Sequence, residues 1–246
     1  MKIYTRVMFL LLFPVSALAD LAYINQIADF TQTDVSFAGS GNGQQFCAPV
    51  AVSNSLVWLS GNELEQVELI STLATRAYMN TSLNNGTGTT GVLRGVDKIS
   101  NELFGGYAVL EYQGWRKHPS QYSTGIKRPD VTRLKSTISN RSAAWLNVGW
   151  YRYDKKRNEY QRLGGHWVTL VGSDTDHLVL HDPAPRAGKS FSNEFVEFRI
   201  IEDGRLVGNK VGLPVQAKGF LILGKGFHIK KGADYAILDG VVFLEL

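Results

Sequence analysis

The sequence predicts an α+β protein whose helices come first and whose strands come second. Three observations carry this. Apolar residues recur at helical spacing through residue 138, strand-like apolar runs dominate from residue 143 onward, and no β-α-β alternation appears, which argues for a mainly antiparallel sheet packed on the helices. With 246 residues and 44% hydrophobic content, the chain can bury one good core. No internal repeat or low-complexity linker divides it, so residues 20–246 read as a single domain.

Residues 1–19 read as an export signal. Lys2 and Arg6 form a basic start, Met8 to Leu18 is mostly apolar, and Ala17-Leu18-Ala19 has the small-x-small cleavage pattern. The apolar run is short for a bilayer span, so cleavage is expected and no stable membrane segment remains. The protein is then expected to be secreted or periplasmic. The 26 basic residues lose Lys2 and Arg6 and the 22 acidic residues lose none, so the net charge falls from +4 to +2. That balance gives no support for a nucleic-acid partner.

The elements follow in order. Gly39, Gly41 and Gly43 mark a loop leading to Cys47, and no Lys-Ser/Thr follows them as phosphate binding would require. A helix is expected from Cys47, with Pro49 in its first turn and Gly61-Asn62 as its stop. A second helix is expected over Glu63–Tyr78 with Leu64, Val67, Ile70, Leu73 and Ala74 inward, and a third over Thr90–Leu103. Tyr107–Tyr112 alternates like a strand, and Pro129-Asp130 opens a helix with Val131, Leu134 and Ile138 inward. Strands are then expected at Ala144–Tyr151, His166–Val171, His177–His181, Phe195–Ile201, Gly219–Leu223 and Tyr235–Leu246, with a hairpin tip at Lys155–Asn158.

Cys47 is the one cysteine in the sequence, so an exported chain has no internal disulfide for it to make. It is either a buried apolar thiol or a reactive one. Its place at a helix start favours a thiolate, because unpaired N–H groups and the helix dipole stabilise negative charge there. A base is needed. His166 follows Gly164-Gly165 and is expected at a strand start; it is either a satisfied core histidine or a functional one. The next strand ends in His181-Asp182-Pro183, and a hairpin over Gly172–His177 would set Asp182 beside His166. A carboxylate there fixes the imidazole tautomer and stabilises its cation. Metal binding is the competing use of such residues. His177 and His181 on one strand lie about 13 Å apart, too far to share an ion, so no metal and no cofactor is expected. A thiolate, an imidazole and a carboxylate in this arrangement are the parts of a cysteine-nucleophile triad.

Cys47-Ala48-Pro49, Gly165-His166-Trp167-Val168, Asp182-Pro183 and the Asn85-Gly86-Thr87 loop together resemble the papain-like cysteine peptidases, in particular the double-glycine-leader (bacteriocin-processing) branch. The likeness spans residues 30–185. It implies a papain-like fold, with the nucleophile helix packed on the sheet, and a secreted thiol hydrolase acting on peptide or protein substrates. It also implies catalytic roles for Cys47, His166 and Asp182. Ala48 stands where that branch has Gly. That branch places an oxyanion-donating glutamine shortly before the cysteine; Gln32 is the favoured counterpart, with Gln44 and Gln45 as alternatives. Members of that branch are usually fused to an exporter, whereas this chain shows no nucleotide-binding motif, so leader cleavage is not carried over. Two other uses of the scaffold stay open, an amide-forming or amide-exchanging acyltransferase and a non-catalytic peptide-binding module. The aromatics Trp145, Trp150, Tyr151, Tyr153 and Trp167 are expected mostly in the core.

Overall fold

In a computed structural model of the protein, the described residues are 22–24, 26–33, 43–187, 193–208 and 213–246. The proposed export signal, together with Gly39 and Gly41, lies outside them. Among the described residues no helix is long and apolar enough to cross a membrane.

Among the described residues there are four α-helices: α1 (Cys47–Leu59), α2 (Gln66–Ala74), α3 (Thr89–Phe104) and α4 (Val131–Ser136). In α1, every residue from Ala48 to Val57 is buried, so it is a core helix rather than an amphipathic surface helix. Its end falls at the expected stop, where the N–H of Asn62 returns to the Val57 carbonyl at 2.8 Å. α2 is shorter than expected. Thr75 leaves the helical conformation, and the chain turns so that the Met79 N–H caps the Leu73 carbonyl at 3.0 Å. Of the residues at helical spacing, Val67 is exposed on α2 rather than inward, and Ala77, which would extend the same stripe, lies exposed beyond its end. In α4, Asp130 caps the helix by accepting the Thr132 N–H at 2.8 Å.

The strands are β1 (Ala22–Tyr23), β2 (Val109–Gly114), β3 (Ser142–Asp154), β4 (Glu159–Ser173), β5 (His177–His181), β6 (Glu194–Ile200), β7 (Arg205–Val207), β8 (Val215–Gln216), β9 (Leu221–Leu223) and β10 (Tyr235–Glu245). Pairing is antiparallel except for β4 with β7. The sheet does more than flank the helices. β3, β4, β5, β6, β9 and β10 pair in a closed cycle, so six strands form a barrel. β10 holds the ring together: β3 runs along one edge, while β9 and then β2 take the other.

The period-two alternation of the long strands divides the core. Leu146, Val148, Val168, Leu170, Leu180 and Phe243 fill one cluster. The opposite face, with Trp145, Trp167, Tyr112 and Val242, packs on α1 and α3. The expected aromatic burial follows from this, with only Tyr153 of the five left half-buried. One correction concerns His166. It lies in mid-strand, because β4 begins at Glu159 and runs straight through Gly164 and Gly165. The polar stretch Glu159–Arg162 hid that continuation, and a bulge opposite Trp150 and Tyr151 absorbs the extra residue.

Candidate functional site

Three layers of contact place Cys47. The turn before it closes when the Phe46 N–H bonds the Gly43 carbonyl at 3.0 Å. Phe46 offers no side-chain cap, so no side chain covers the first turn of α1 from the preceding residue. The helix is fixed on the sheet by a buried polar chain. Thr169 Oγ1 donates to the Ala51 carbonyl at 2.7 Å, and Gln66 Nε2 donates to Asn54 Oδ1 at 2.7 Å. Trp167 Nε1 donates to the Thr87 carbonyl at 3.0 Å, which ties the Asn85–Thr87 loop to the same strand.

His166 and Asp182 come from neighbouring strands. The β4–β5 register sets His181 opposite Thr169, and the chain then turns at Asp182-Pro183. Asp182 Oδ1 lies 2.5 Å from His166 Nε2. With Nε2 taken, Nδ1 is the ring nitrogen left for Cys47, which hydrogen-bonds the imidazole. The ring stacks against Trp150 at 5.8 Å, and Trp150 in turn stacks on Phe227 and lies under the Arg186 guanidinium. The imidazole thus sits on a packed aromatic shelf and has little freedom to rotate.

The electrostatics follow the geometry. Burial alone would raise the Cys47 thiol, but the His166 hydrogen bond and charge, helped by the Trp167 backbone, bring it below its ordinary 9.0. Burial pulls His166 down, yet the Asp182 carboxylate and the Cys47 sulfur outweigh it and push it up to about 9. Burial raises Asp182, and the His166 charge and hydrogen bond, with Arg186 behind, lower it on balance. All three shifts favour a thiolate–imidazolium pair backed by a carboxylate.

Cys47 is half-buried and opens into a cleft of about 290 Å³. Gln45, the Gly86–Thr90 loop, Arg116, Arg162 and Trp167 line it. A larger hollow of about 840 Å³ beside Ile126, Arg128 and Phe220 shares no residue with it and holds no nucleophile. Of the three glutamines, Gln45 faces the cleft. Gln44 is exposed outside it. Gln32 is buried, and its Nε2 donates to the carbonyls of Gly43 at 3.2 Å and Gln44 at 2.6 Å. Its own N–H bonds the Pro183 carbonyl at 2.7 Å, so Gln32 bridges the turn before Cys47 to the turn after Asp182.

His177 and His181 are engaged elsewhere. His177 contacts Asp174 at 3.1 Å, and the buried His181 sits between the Ala28 carbonyl and Asn193 Oδ1. Among the described residues no cluster of His, Cys, Asp and Glu could hold a metal ion. Sequence reasoning missed Glu194, Asp239 and Arg162. Glu194 is buried and accepts the Asp182 N–H at 3.0 Å. Asp239 sits on a bulge of β10, where it accepts from Trp115 Nε1 at 2.8 Å, from Arg162 Nε at 2.6 Å and from the Tyr151 hydroxyl. Gly240 beside it leaves room for Tyr112, whose hydroxyl would lie 2.1 Å from a Cβ at that position. An acidic residue followed by glycine inside an apolar strand was the one available signal.

No family model matches the chain, and no curated protein does. A solved structure from Bacillus anthracis, provisionally described as a C39-like peptidase, aligns over 92% of this chain and 98% of that one, with 10% identity and a TM-score of 0.42.

Proposed function

We propose that the protein is a papain-like thiol hydrolase of peptide or amide bonds. The observation that carries this reading is the continuous chain from Cys47 through His166 to Asp182, with the sulfur end open to a cleft and the carboxylate end buried. Fold resemblance alone would not fix a reaction; these groups and their order support one.

The Cys47 thiolate attacks the substrate carbonyl carbon, and a C–S bond forms as the carbonyl π electrons move to oxygen. The oxyanion is held by the Cys47 backbone N–H at the start of α1 and by the Gln45 side-chain amide in the cleft. The C–N bond then breaks, and the His166 imidazolium gives its proton to the leaving amine. Water attacks the resulting thioester, His166 takes its proton, and the acid product leaves as the thiol or thiolate is restored. Asp182 holds the imidazole tautomer throughout and stays ionised. Gln32 acts as a positioning residue that fixes the turn before the nucleophile.

The test is alkylation and turnover of the Cys47→Ala variant. A peptide aldehyde and iodoacetamide should label the wild type and not the variant, and hydrolysis of a casein or peptide-library substrate should vanish with the thiol. Equal turnover by the variant would remove Cys47 from the reaction.

A further inference from the structure

The cleft beside Cys47 is basic in a particular way. Among the described residues Arg116, Lys117 and Arg162 line it, and no carboxylate does. The acid that partners Arg162 is Asp239, which is fully buried behind the wall and shared among three donors. It therefore offers one negative charge against three positive ones and exposes none of it to the cleft.

Each arginine is placed for a ligand. Arg162 lies along the backbone of its own strand, on the face of β4 opposite the His166 side chain: a Cβ on Gly165 would come within 2.4 Å of Arg162 Nη2. Glycine there keeps the guanidinium flat against β4 in the wall of the Cys47 cleft. Its Nε is committed to Asp239, while no protein partner is seen for its terminal nitrogens among the described residues. Arg116 stacks on Trp115 at 4.8 Å, and its Nη1 is buried with no hydrogen-bond partner. A buried guanidinium N–H with no acceptor among the described residues, in a wall shared with a second guanidinium, is a costly arrangement. Burial, then the Arg162 charge, weakens its hold on its proton. A planar two-oxygen acid in the cleft would pair with the guanidinium edges that line it.

We infer that this wall is a carboxylate subsite: the substrate carries an Asp or Glu side chain, or a free chain-terminal carboxylate, close to the bond cleaved at Cys47. This rests on the hydrolase reading for its position, but not for its test. In quenched peptides of one sequence, an Asp next to the scissile bond should raise kcat/KM about tenfold or more over Asn, the scale of one charge-assisted hydrogen bond. A free against an amidated C-terminus separates the two sources of the carboxylate. Arg116→Gln should erase most of the difference between paired peptides. Binding to the Cys47→Ala protein, followed by calorimetry, asks the same question without turnover: the carboxylate peptide should bind more tightly than its amide, and added salt should narrow the gap. If Arg116→Gln melts early, the exposed Lys117→Gln variant should narrow the same gap by a smaller factor. Equal binding of acid and amide peptides would overturn the subsite even if hydrolysis occurs. Preferential binding with no turnover would keep the subsite and sink the hydrolase.

Discussion

Asp182 gives its side chain to the imidazole of His166 and its own backbone N–H to Glu194 Oε2, at 3.0 Å. The residue that orients the base is thus itself held by a second acid. Burial, reinforced by the nearby charges of Asp29 and Asp182, raises Glu194 to about 8. The unfolded chain would ionise this group near its ordinary 4.5, so the folded state holds the extra proton between the two values. Stability from this group is fully present below 4.5 and is lost as pH rises through 8. Glu194→Gln keeps an acceptor for the Asp182 N–H and removes the titration. The variant's melting temperature should gain on the wild type as pH rises from 5 to 8, by about 2–4 °C for each kcal/mol. A constant difference across that range, read by calorimetry, would count against it.

Under the proposed reaction, His166 and Cys47 set opposite ends of the activity window. The thiolate forms at the lowered Cys47 value, and the imidazolium persists up to about 9. Above that point the thiolate remains but the proton for the leaving amine is gone. Peptide hydrolysis should therefore fall above pH 9 while iodoacetamide alkylation does not. Asp182→Asn removes the charge that raises His166; the alkaline limb should move to lower pH, and kcat/KM should drop about 100-fold or more. Stopped-flow alkylation beside steady-state turnover checks both.

Gln45 and Gln32 should fail differently. Gln45→Ala removes the proposed oxyanion donor, so kcat should fall about 100-fold or more with little change in melting temperature. Gln32→Ala removes the side chain that ties Gly43 and Gln44 to the turn after Asp182, so stability should fall by about 1–3 kcal/mol and activity should follow it. The reverse pattern would assign the oxyanion to Gln32.

Thr169 fastens α1 to β4 from a fully buried position. Thr169→Val keeps the shape and removes the hydroxyl that Ala51 and Asn54 share. Denaturant unfolding should show a loss of about 1–3 kcal/mol, and thiol reactivity should weaken because the helix start shifts relative to His166.

Much of this was legible in the sequence, for local reasons. Cys47-Ala48-Pro49 carries its own helix signal, and the short turn from Gly172 to His177 leaves few ways to place Asp182 other than beside His166. Barrel closure was not legible, because it depends on pairing β10 with β3 and β9, which no neighbouring residues announce. Glu194 was hidden for a related reason: its meaning comes from a backbone N–H on the adjacent strand. Gln32 shows the limit of motif spacing. Its place beside the nucleophile turn is set by contacts to Gly43, Gln44 and Pro183.

The ring of six strands also bears on when the thiol becomes reactive. The Cys47 helix precedes every strand of the ring in the chain, whereas the strand that completes the ring, β10, comes last among the described elements. Long-range strand pairing is slow compared with helix formation. Until β4 and β5 have paired and docked on α1, nothing holds the imidazole against the sulfur, and Cys47 has the modest acidity of any free cysteine. On the proposed reading, chemical competence is then a late product of folding, and partly folded chains carry a quiet thiol.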